Sequence, residues 1–365
     1  MQNRNIIPFK IQSMDSLGQG VSKETDKITF IPKTLPEEAG KAIIVGGKKG
    51  VQFATLVELE TRSPHRVEPV CPHFNNCPSC HFLHTSYEEE IRFKKLNLEK
   101  LFYKIPHPPI QVLPAMRRTG YRNRLQLHYD LKAKKLGMLD AKNHRIAPIP
   151  DCLIARNKVT QKIQELYQNE NWVKLLSSEP AQGHIEIYEI NSEVKVSLNQ
   201  AYAEGGFTQV FDEMNQELKK ILFTWTKKFA PTDVLDLFAG NGNLSEEANY
   251  SKRLCVDYYQ KSVTDPFTSQ DLYYPKALEE IRKKIKTMGL NPATIILDPP
   301  RSGLKNLDEW LEAFAPKRVA YISCDPHTLV RDLMQIKNYK ITELHLIDFF
   351  PSTFHFETMV FLERT

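Results

Sequence analysis

Short apolar segments, broken by glycine and proline turns, dominate the first 62 residues of the chain. Five of them have the length and composition of β-strands, and they cover residues 9–12, 17–21, 28–31, 41–45 and 52–57. Five short strands with such turns are typical of an OB-type barrel, a fold that often binds oligonucleotides. We therefore predict a barrel over residues 1–62, which either binds a nucleic acid or only packs against its neighbour.

The segment that follows combines a helix with extended strands. Ser86 and Glu89 form a capping box at the start of a helical pattern over residues 86–104. Residues 107–205 have a mainly β pattern, in which residues 121–129 alternate polar and apolar positions as a half-buried strand does. The arginines of that strand either contact phosphates or form an exposed row. We predict a β-rich central domain over residues 63–205.

The C-terminal part repeats strand, loop and helix. A helix is predicted to begin near Phe211, and from Asp233 onward apolar strands alternate with loops and helices. This order predicts an α/β fold with a doubly wound parallel sheet. The corresponding domain is predicted to cover residues 206–365.

Composition narrows the class of protein. The chain has 365 residues, of which 41% are hydrophobic and 25% are charged, as in ordinary globular proteins. We find no apolar run of about 18 residues and no basic-then-apolar leader, so we expect a cytoplasmic protein without a membrane partner. The net charge of +5 is compatible with an RNA partner without proving one.

Three of the six cysteines lie close together in the sequence. Cys71, Cys77 and Cys80 have the spacing C-x5-C-x2-C. In a chain without a secretory leader, such a cluster favours a metal site over disulfides. Zinc sites usually pair two C-x2-C knuckles, and only one is present, so the distant Cys152 is the candidate fourth ligand. Four thiolates suit zinc or an iron–sulfur cluster, and the spacing does not decide between them.

The stretch V-A-Y-I-S-C-D-P, residues 319–326, is an apolar strand that ends at Cys324. Chemistry in an open α/β sheet takes place beyond the carboxyl ends of the strands. We expect a helix beginning at Pro326 to lower the pKa of Cys324 through its dipole. The alternative is a buried structural cysteine.

Three other apolar strands end in residues that suit a nucleotide-like ligand. Residues 234–244 run from a strand into G-N-G, and the incomplete G-x-G-x-x-G favours S-adenosylmethionine over a dinucleotide. Asp257 ends the next strand and suits a ribose diol. Residues 293–303 end in D-P-P-R-S-G, which places Asp298 at the ligand-facing edge.

Together these motifs resemble the RNA uracil-5-methyltransferase family over nearly the whole chain. The shared segments are a TRAM-like barrel, the cysteine loop, D-L-F-A-G-N-G-N, L-D-P-P-R-S-G, Y-I-S-C-D-P-H-T-L-V-R-D and residues 350–360. The resemblance implies a Rossmann-like, S-adenosylmethionine-dependent methyltransferase domain. It also implies a barrel that binds RNA and a [4Fe–4S] cluster held by Cys71, Cys77, Cys80 and Cys152.

The resemblance further implies a mechanism and a cofactor site. The Cys324 thiolate adds to C6 of uracil, C5 takes up the methyl group, and Glu357 removes the C5 proton. Because Glu357 lies next to an apolar strand, we expect a raised pKa for its carboxyl group. The residues implied to line the cofactor site are Gln209, Phe238, Asn243, Asp257 and Asp298.

The segment after Asp257 departs from the family pattern. Residues 258–272 are too few for the helix, strand and turn expected there, and Pro266 interrupts any helix. Asp271 then stands in for the usual carboxylate on the adenine side. This shortening puts cofactor affinity in question and favours one alternative, a non-catalytic RNA-binding or assembly protein. A methyltransferase acting on nitrogen or on a protein is the last alternative, because it does not need S-C-D-P.

The barrel and the cysteine loop favour 23S rRNA over tRNA as the RNA partner, because bacterial tRNA enzymes of this family generally lack both. We expect a monomer. Uracil methylation needs no electron, so the cluster is expected to serve structure or RNA positioning.

Overall fold

The computed structural model describes residues 5–140, 144–201, 208–258 and 266–365. The chain divides into two compact units, each built from separate segments. Unit 1 comprises Met1–Asn97, Arg117–Gln200 and Phe350–Phe354. Unit 2 comprises Leu98–Met116, Ala201–Phe349 and His355–Thr365.

The first five strands of unit 1 close into a barrel in the order β1-β2-β3-β5-β4. They are β1 (Ile6–Met14), β2 (Gln19–Ser22), β3 (Ile28–Pro32), β4 (Ala39–Lys48) and β5 (Val51–Thr61). Alternate residues such as Phe9, Ile11 and Ile31 fill its interior. The predicted five-stranded barrel is confirmed. Its second strand begins later than predicted, because the Asp15 carboxylate accepts hydrogen bonds from the backbone N–H of Leu17 and forms a turn there.

A helix follows the barrel, and a short strand of unit 2 comes next. They are α1 (Tyr87–Phe102) and β6 (Gln111–Leu113). The Ser86 hydroxyl accepts the backbone N–H of Glu89 at 3.2 Å, as the capping box predicts. On the first turns of α1, the fully buried Glu90 accepts a hydrogen bond from Lys94 at 2.7 Å. The same Glu90 oxygen accepts the backbone N–H of Ser352 at 2.7 Å, within unit 1.

The rest of unit 1 is a five-stranded sheet in the order β11-β10-β7-β8-β9, with helices α2 and α3. Its elements are β7 (Arg124–Asp130), β8 (Lys135–Asp140), β9 (Arg145–Ala147), α2 (Asn157–Tyr167), α3 (Asn171–Leu175), β10 (Gln182–Ile190) and β11 (Glu193–Leu198). Leu127, Ile163 and Ile185 lie in the core of this sheet. The predicted arginine row needs a correction. Arg124 is buried and forms a salt bridge of 2.8 Å with Glu186, so it does not face a phosphate.

Unit 2 is built on an eight-stranded sheet in the order β14-β13-β12-β15-β16-β18-β17-β6. Besides β6, its elements are α4 (Asp212–Thr226), β12 (Thr232–Leu237), β13 (Tyr250–Asp257), β14 (Phe267–Ser269), α5 (Ala277–Thr287), β15 (Pro292–Leu297), α6 (Leu307–Phe314), β16 (Arg318–Ser323), α7 (Pro326–Leu333), β17 (Tyr339–Ile347) and β18 (Glu357–Arg364). Strands β12 to β16 are parallel. This is the predicted doubly wound α/β class.

Two features of this sheet go beyond the prediction. Strand β18 runs antiparallel to both β16 and β17, so the C-terminal end of the chain forms a hairpin inside the sheet. Strand β14 forms despite the shortened segment, but only nine residues, 258–266, join it to β13. A helical crossover needs about a dozen residues. Residues 259–265 lie outside the described part of the chain.

No described helix is long and apolar enough to cross a membrane.

Candidate functional site

A cavity of about 860 Å³ lies in unit 2 at the carboxyl ends of β12, β13, β15 and β16. From β12 the chain leads to β13 and β14 on one side of the sheet, whereas β15 and β16 lie on the other side. Open α/β sheets bind ligands at such a switch point. All seven catalytic and cofactor-binding residues predicted from the sequence line the cavity, and they are Gln209, Phe238, Asn243, Asp257, Asp298, Cys324 and Glu357.

The sheet register brings Cys324 and Glu357 to the same edge of the cavity. Strands β16 and β18 are antiparallel, and Ser323 of β16 pairs with Thr358 of β18. Cys324 follows the last residue of one strand, and Glu357 is the first residue of the other. Two side chains separated by 33 positions in the sequence thus become neighbours across one ladder.

The environment of Cys324 contradicts the expected drop of its pKa. The side chain is half-buried, and this burial raises the pKa of the thiol to about 12. The charges of Glu357 and Asp298 raise it further, whereas Arg301 acts in the opposite direction. The helix α7 does begin at Pro326, but its N-terminus is already capped. The Asp325 carboxylate accepts the N–H of the third residue after Cys324 at 2.9 Å, and its negative charge also raises the pKa of Cys324.

Two carboxyl groups beside Cys324 also have raised pKa values. Glu357 is only 3% exposed, and burial raises its pKa well above the ordinary value, with the charge of Asp298 as the second cause. Burial likewise raises the pKa of Asp298. One oxygen of Glu357, Oε2, is buried without a hydrogen-bond partner among the described residues. A buried carboxyl with a free oxygen suits the exchange of a proton with a ligand in the cavity.

The glycine turn after β12 forms part of the cavity wall. The backbone N–H of Gly240 donates to Oδ2 of Asp257 at 2.8 Å, which ties this turn to the end of β13. Phe238 has a positive φ of 59°, a conformation that a bulky residue rarely adopts. The side-chain amides of Asn243 and Asn215 donate to each other at 2.9 and 3.0 Å. This reciprocal pair fixes Asn243 at the cavity wall.

A network of buried hydrogen bonds also contacts the same turn. The Ser245 hydroxyl donates to the Asp236 carboxylate, and Arg253 donates to Ser245 at 3.0 Å and to the backbone oxygen of Gly242 at 3.3 Å. Burial raises the pKa of Asp236 to about 7, although the Ser245 hydrogen bond and the Arg253 charge oppose the shift. Sequence reasoning did not assign these residues a role.

Several residues of the cavity wall were missed from the sequence. Asn215 was seen only as one position of the predicted helix, although an amide at an otherwise apolar position was a signal. Gln270, Leu272 and Tyr273 come from the segment after β14, and Asp271, the proposed substitute carboxylate, lies with them. The shortened segment therefore still supplies a wall to the cavity.

The cysteine loop lies in unit 1, where its thiols lie near one another but are not arranged as a metal site. All six cysteines of the chain are free thiols. Burial raises the pKa of Cys80, and the charges of Cys77, Cys152 and Cys71 add to this effect, so the four thiols are electrostatic neighbours. His73 Nε2 lies 2.8 Å from the carboxylate of Asp151, which joins the loop to the segment that carries Cys152.

The geometry stops short of a ligand set. Among the described residues, no group of three or more His, Cys, Asp or Glu side chains is arranged to hold a metal ion. Lys33 donates to the backbone oxygens of Phe74 and, at 3.1 Å, of Cys77, and so holds the loop from the barrel side. The donor chemistry fits a thiolate-bound metal or cluster, whereas the placement of the sulfur atoms does not show one.

Comparison with known proteins identifies a family model that matches the C-terminal part of the chain. Residues 274–365 match the tRNA (uracil-5-)-methyltransferase family model. This segment contains Asp298, Cys324 and Glu357.

Relatives cover nearly the whole chain. The 23S rRNA (uracil(1939)-C(5))-methyltransferase RlmD of Shewanella woodyi is 26% identical over 437 residues, covering 98% of this chain and 96% of that protein. An uncharacterized RNA methyltransferase of Bdellovibrio bacteriovorus is 29% identical over 381 residues, covering 97% of this chain and 94% of that protein. The solved structure of Pyrococcus abyssi tRNA (uracil-54, C5)-methyltransferase with S-adenosyl-L-homocysteine has a TM-score of 0.70 at 18% identity, covering 97% of this chain and 99% of that chain. This last match shows that the fold is shared over both units.

Proposed function

We propose that the chain is an RNA uracil-5-methyltransferase that transfers a methyl group from S-adenosylmethionine to C5 of uridine in RNA, because residues 274–365 match that family model and relatives named as such enzymes cover nearly the whole chain. One observation carries the proposal. The thiol of Cys324 and the buried carboxyl group of Glu357 lie at neighbouring ends of two paired strands. Both line one cavity, whose size suits a cofactor.

The reaction needs a nucleophile for C6 and a base for the C5 proton. C5 of uracil is a poor nucleophile, and addition of the Cys324 sulfur to C6 breaks the C5–C6 double bond and makes C5 enolate-like. S-adenosylmethionine supplies the methyl group that C5 takes up. Glu357 then removes the C5 proton, the C5–C6 double bond re-forms, and Cys324 leaves as a thiolate.

The electrostatics of the site support this division of roles. A general base works well when its pKa is near the working pH, and burial raises the pKa of Glu357 towards that range. The Cys324 thiol is neutral in the free protein, because burial raises its pKa to about 12. Arg301 is the neighbouring charge that favours the thiolate. The target base must leave its stack to reach this half-buried thiol, as enzymes that modify nucleobases require.

We assign the methyl donor to the cavity wall formed by Gln209, Phe238, Asn243, Asp257 and Asp298. A carboxylate at the end of the second strand suits the ribose hydroxyls, which is the role of Asp257. The positive-φ turn after β12 brings backbone groups close to the ligand. Asp271 takes the adenine side. Binding of S-adenosyl-L-homocysteine, measured by calorimetry, tests this assignment, and Asp257→Ala is expected to weaken it.

We further propose that Cys71, Cys77, Cys80 and Cys152 hold a [4Fe–4S] cluster. The support is their shared neighbourhood and their free thiols. Such a cluster would tie the loop to the segment of Cys152 and would be structural, since no step of the methyl transfer needs an electron.

The RNA partner that we propose is 23S rRNA, and the chain is proposed to act as a cytoplasmic monomer. Several relatives that cover nearly the whole chain are named 23S rRNA (uracil(1939)-C(5))-methyltransferases. The barrel alone does not separate rRNA from tRNA, because the archaeal tRNA enzyme shares the fold over 97% of this chain. tRNA therefore remains the second candidate.

One experiment tests the reaction class, the nucleophile and the RNA together. Purified protein, S-adenosylmethionine and RNA containing 5-fluorouracil are mixed, and a protein–RNA adduct that survives SDS is sought. Fluorine at C5 does not leave as a proton does, so the adduct with Cys324 is expected to persist. Cys324→Ala is the control. Absence of an adduct with both rRNA and tRNA would favour the non-catalytic RNA-binding alternative.

A further inference from the structure

Tyr273 contributes an aromatic ring to the wall of the cavity. Its ring centroid lies 5.6 Å from that of Phe238, and the two planes are tilted by 46°. Both residues line the cavity, and Tyr273 is 48% exposed. The carboxylate of Asp271 accepts the backbone N–H of Tyr273 at 2.9 Å and fixes the turn that presents the ring. A pair of tilted rings offers an apolar surface to a flat ligand group.

The hydroxyl of the same side chain contacts the loop of residues 298–303, called the D-P-P loop here. It lies 2.8 Å from Oγ of Ser302 and donates to the backbone oxygen of Gly303 at 2.9 Å. A phenol has one proton to donate. The consistent arrangement is therefore that Ser302 donates to Tyr273, and Tyr273 donates to Gly303. The D-P-P loop carries Asp298 into the cavity.

A second set of contacts holds the D-P-P loop from the side of α7. The buried carboxylate of Asp332 accepts the backbone N–H of Leu304 at 2.7 Å, and Arg331 donates to the backbone oxygen of Ser302 at 2.7 Å. Gly303 has φ of +67°, and a Cβ there would come within 2.4 Å of the Asp332 carboxylate. Arg331 and Asp332 are not among the residues that line the cavity, whereas Tyr273 is.

We propose that Tyr273 is a positioning residue that links the methyl-donor cavity to the D-P-P loop. Its ring forms part of the surface that receives the donor, and its hydroxyl holds the loop that carries Asp298 beside Cys324 and Glu357. This inference rests on the proposed function for the identity of the donor. The contacts to the loop exist without any ligand, so part of the inference is testable on the free protein.

Two variants separate the ring from the hydroxyl. Tyr273→Phe keeps the ring and removes both hydrogen bonds, and Tyr273→Leu removes the aromatic surface as well. Tyr274→Phe is the matched control, because the neighbouring tyrosine is also 48% exposed and is not among the residues of the cavity wall. Because these side chains are half exposed, all three variants are expected to fold, and thermal unfolding checks this.

The first readout is hydrogen–deuterium exchange of the free protein. Tyr273→Phe removes two neutral hydrogen bonds to the loop, so it is expected to speed exchange at the amides of Gly303 and Leu304 at least about fivefold. Tyr274→Phe is expected to leave this exchange unchanged. Equal exchange in wild type and Tyr273→Phe would overturn the proposed link, whatever the protein binds.

The second readout uses S-adenosyl-L-homocysteine and the RNA substrate. Tyr273→Phe is expected to keep the dissociation constant within about twofold and to lower kcat about fivefold at unchanged KM for RNA. Tyr273→Leu is expected to raise the dissociation constant about tenfold, because it loses the ring contact. Wild-type affinity in Tyr273→Leu would overturn the role of the ring. Failure of the wild type to bind the ligand would instead count against the proposed function, while the exchange result would still stand.

Discussion

The charge of Glu357 raises the pKa of Cys324, and the two residues lie at neighbouring ends of two paired antiparallel strands. The proposed base therefore opposes ionisation of the proposed nucleophile. This relationship has a chemical consequence that is measurable without RNA.

Replacement of Glu357 by Gln is expected to make Cys324 more reactive while it abolishes methyl transfer. Removing a negative charge lowers the pKa of the thiol, so the thiolate fraction at a given pH above neutrality rises. We expect alkylation of Cys324 by iodoacetamide to become about threefold to tenfold faster, measured by mass spectrometry of its peptide. Glu363→Gln, at the other end of β18, is the control. Unchanged alkylation in the Glu357 variant would show that the two groups do not interact.

Cysteine substitutions test the proposed cluster. In protein purified without oxygen, Cys71→Ser and Cys152→Ser are expected to lose iron and sulfide, because each removes one of four thiolate ligands. Cys255→Ala, which removes a buried thiol of unit 2, is expected to keep the metal content. Folding yield and RNA binding should fall more than the turnover of correctly folded protein. Intact metal content in either serine variant would remove that residue from the ligand set.

The buried pair Glu90–Lys94 is expected to be costly to break. Lys94→Met leaves the fully buried Glu90 carboxylate without one of its charged partners, and such losses destabilise proteins by about 3 kcal/mol. Lys100→Met changes an exposed lysine in the last turn of the same helix and should change stability by less than about 0.5 kcal/mol. Urea unfolding of both variants measures the difference. Similar midpoints would mean that Glu90 is satisfied without Lys94.

Asp236 is expected to make stability depend on pH. Burial raises its pKa from 3.8 to about 7 in the folded protein, so the folded state binds a proton more tightly than the unfolded state does. The stabilisation from this proton is complete below the unfolded pKa and is lost as the pH rises through the folded pKa. Wild type should therefore lose a few kcal/mol relative to Asp236→Asn between about pH 4 and pH 7. A pH-independent difference between the two proteins would contradict the shift.

The strand ends that carry the site residues could be predicted from the sequence, because each of them follows a continuous apolar run. Asp257, Asp298 and Cys324 each follow such a run, and the parallel sheet brings all three to one cavity. The antiparallel turn of β18 could not be predicted, since alternation does not encode strand direction. The register that pairs Ser323 with Thr358, and so brings Cys324 and Glu357 to the same edge of the cavity, was therefore not predictable from the apolar pattern either.

The sequence also did not predict the raised pKa of Cys324, or that Tyr273 and Asn215 line the cavity. The pKa of Cys324 was expected to fall, but burial and the charges of Glu357 and Asp298 raise it. Tyr273 and Asn215 reach the cavity through a turn and a helix face whose directions depend on the whole sheet. Cys80 lies close enough to Cys77, Cys152 and Cys71 for their charges to act on it, and the cluster that the four would hold stays a prediction.

The assignment of Phe350–Phe354 to unit 1 has a consequence for synthesis on the ribosome. The backbone N–H of Ser352 satisfies the Glu90 carboxylate, and its backbone oxygen accepts the N–H groups of His81 and Phe82 at 2.7 and 3.1 Å. These partners are separated by more than 250 positions in the sequence. Unit 1 is therefore incomplete until Phe350–Phe354 have left the exit tunnel, although most of it is translated earlier. A nascent or truncated chain that stops before Phe350 would retain a buried carboxylate without its backbone donor, and we expect such fragments to be the ones that chaperones and proteases recognise.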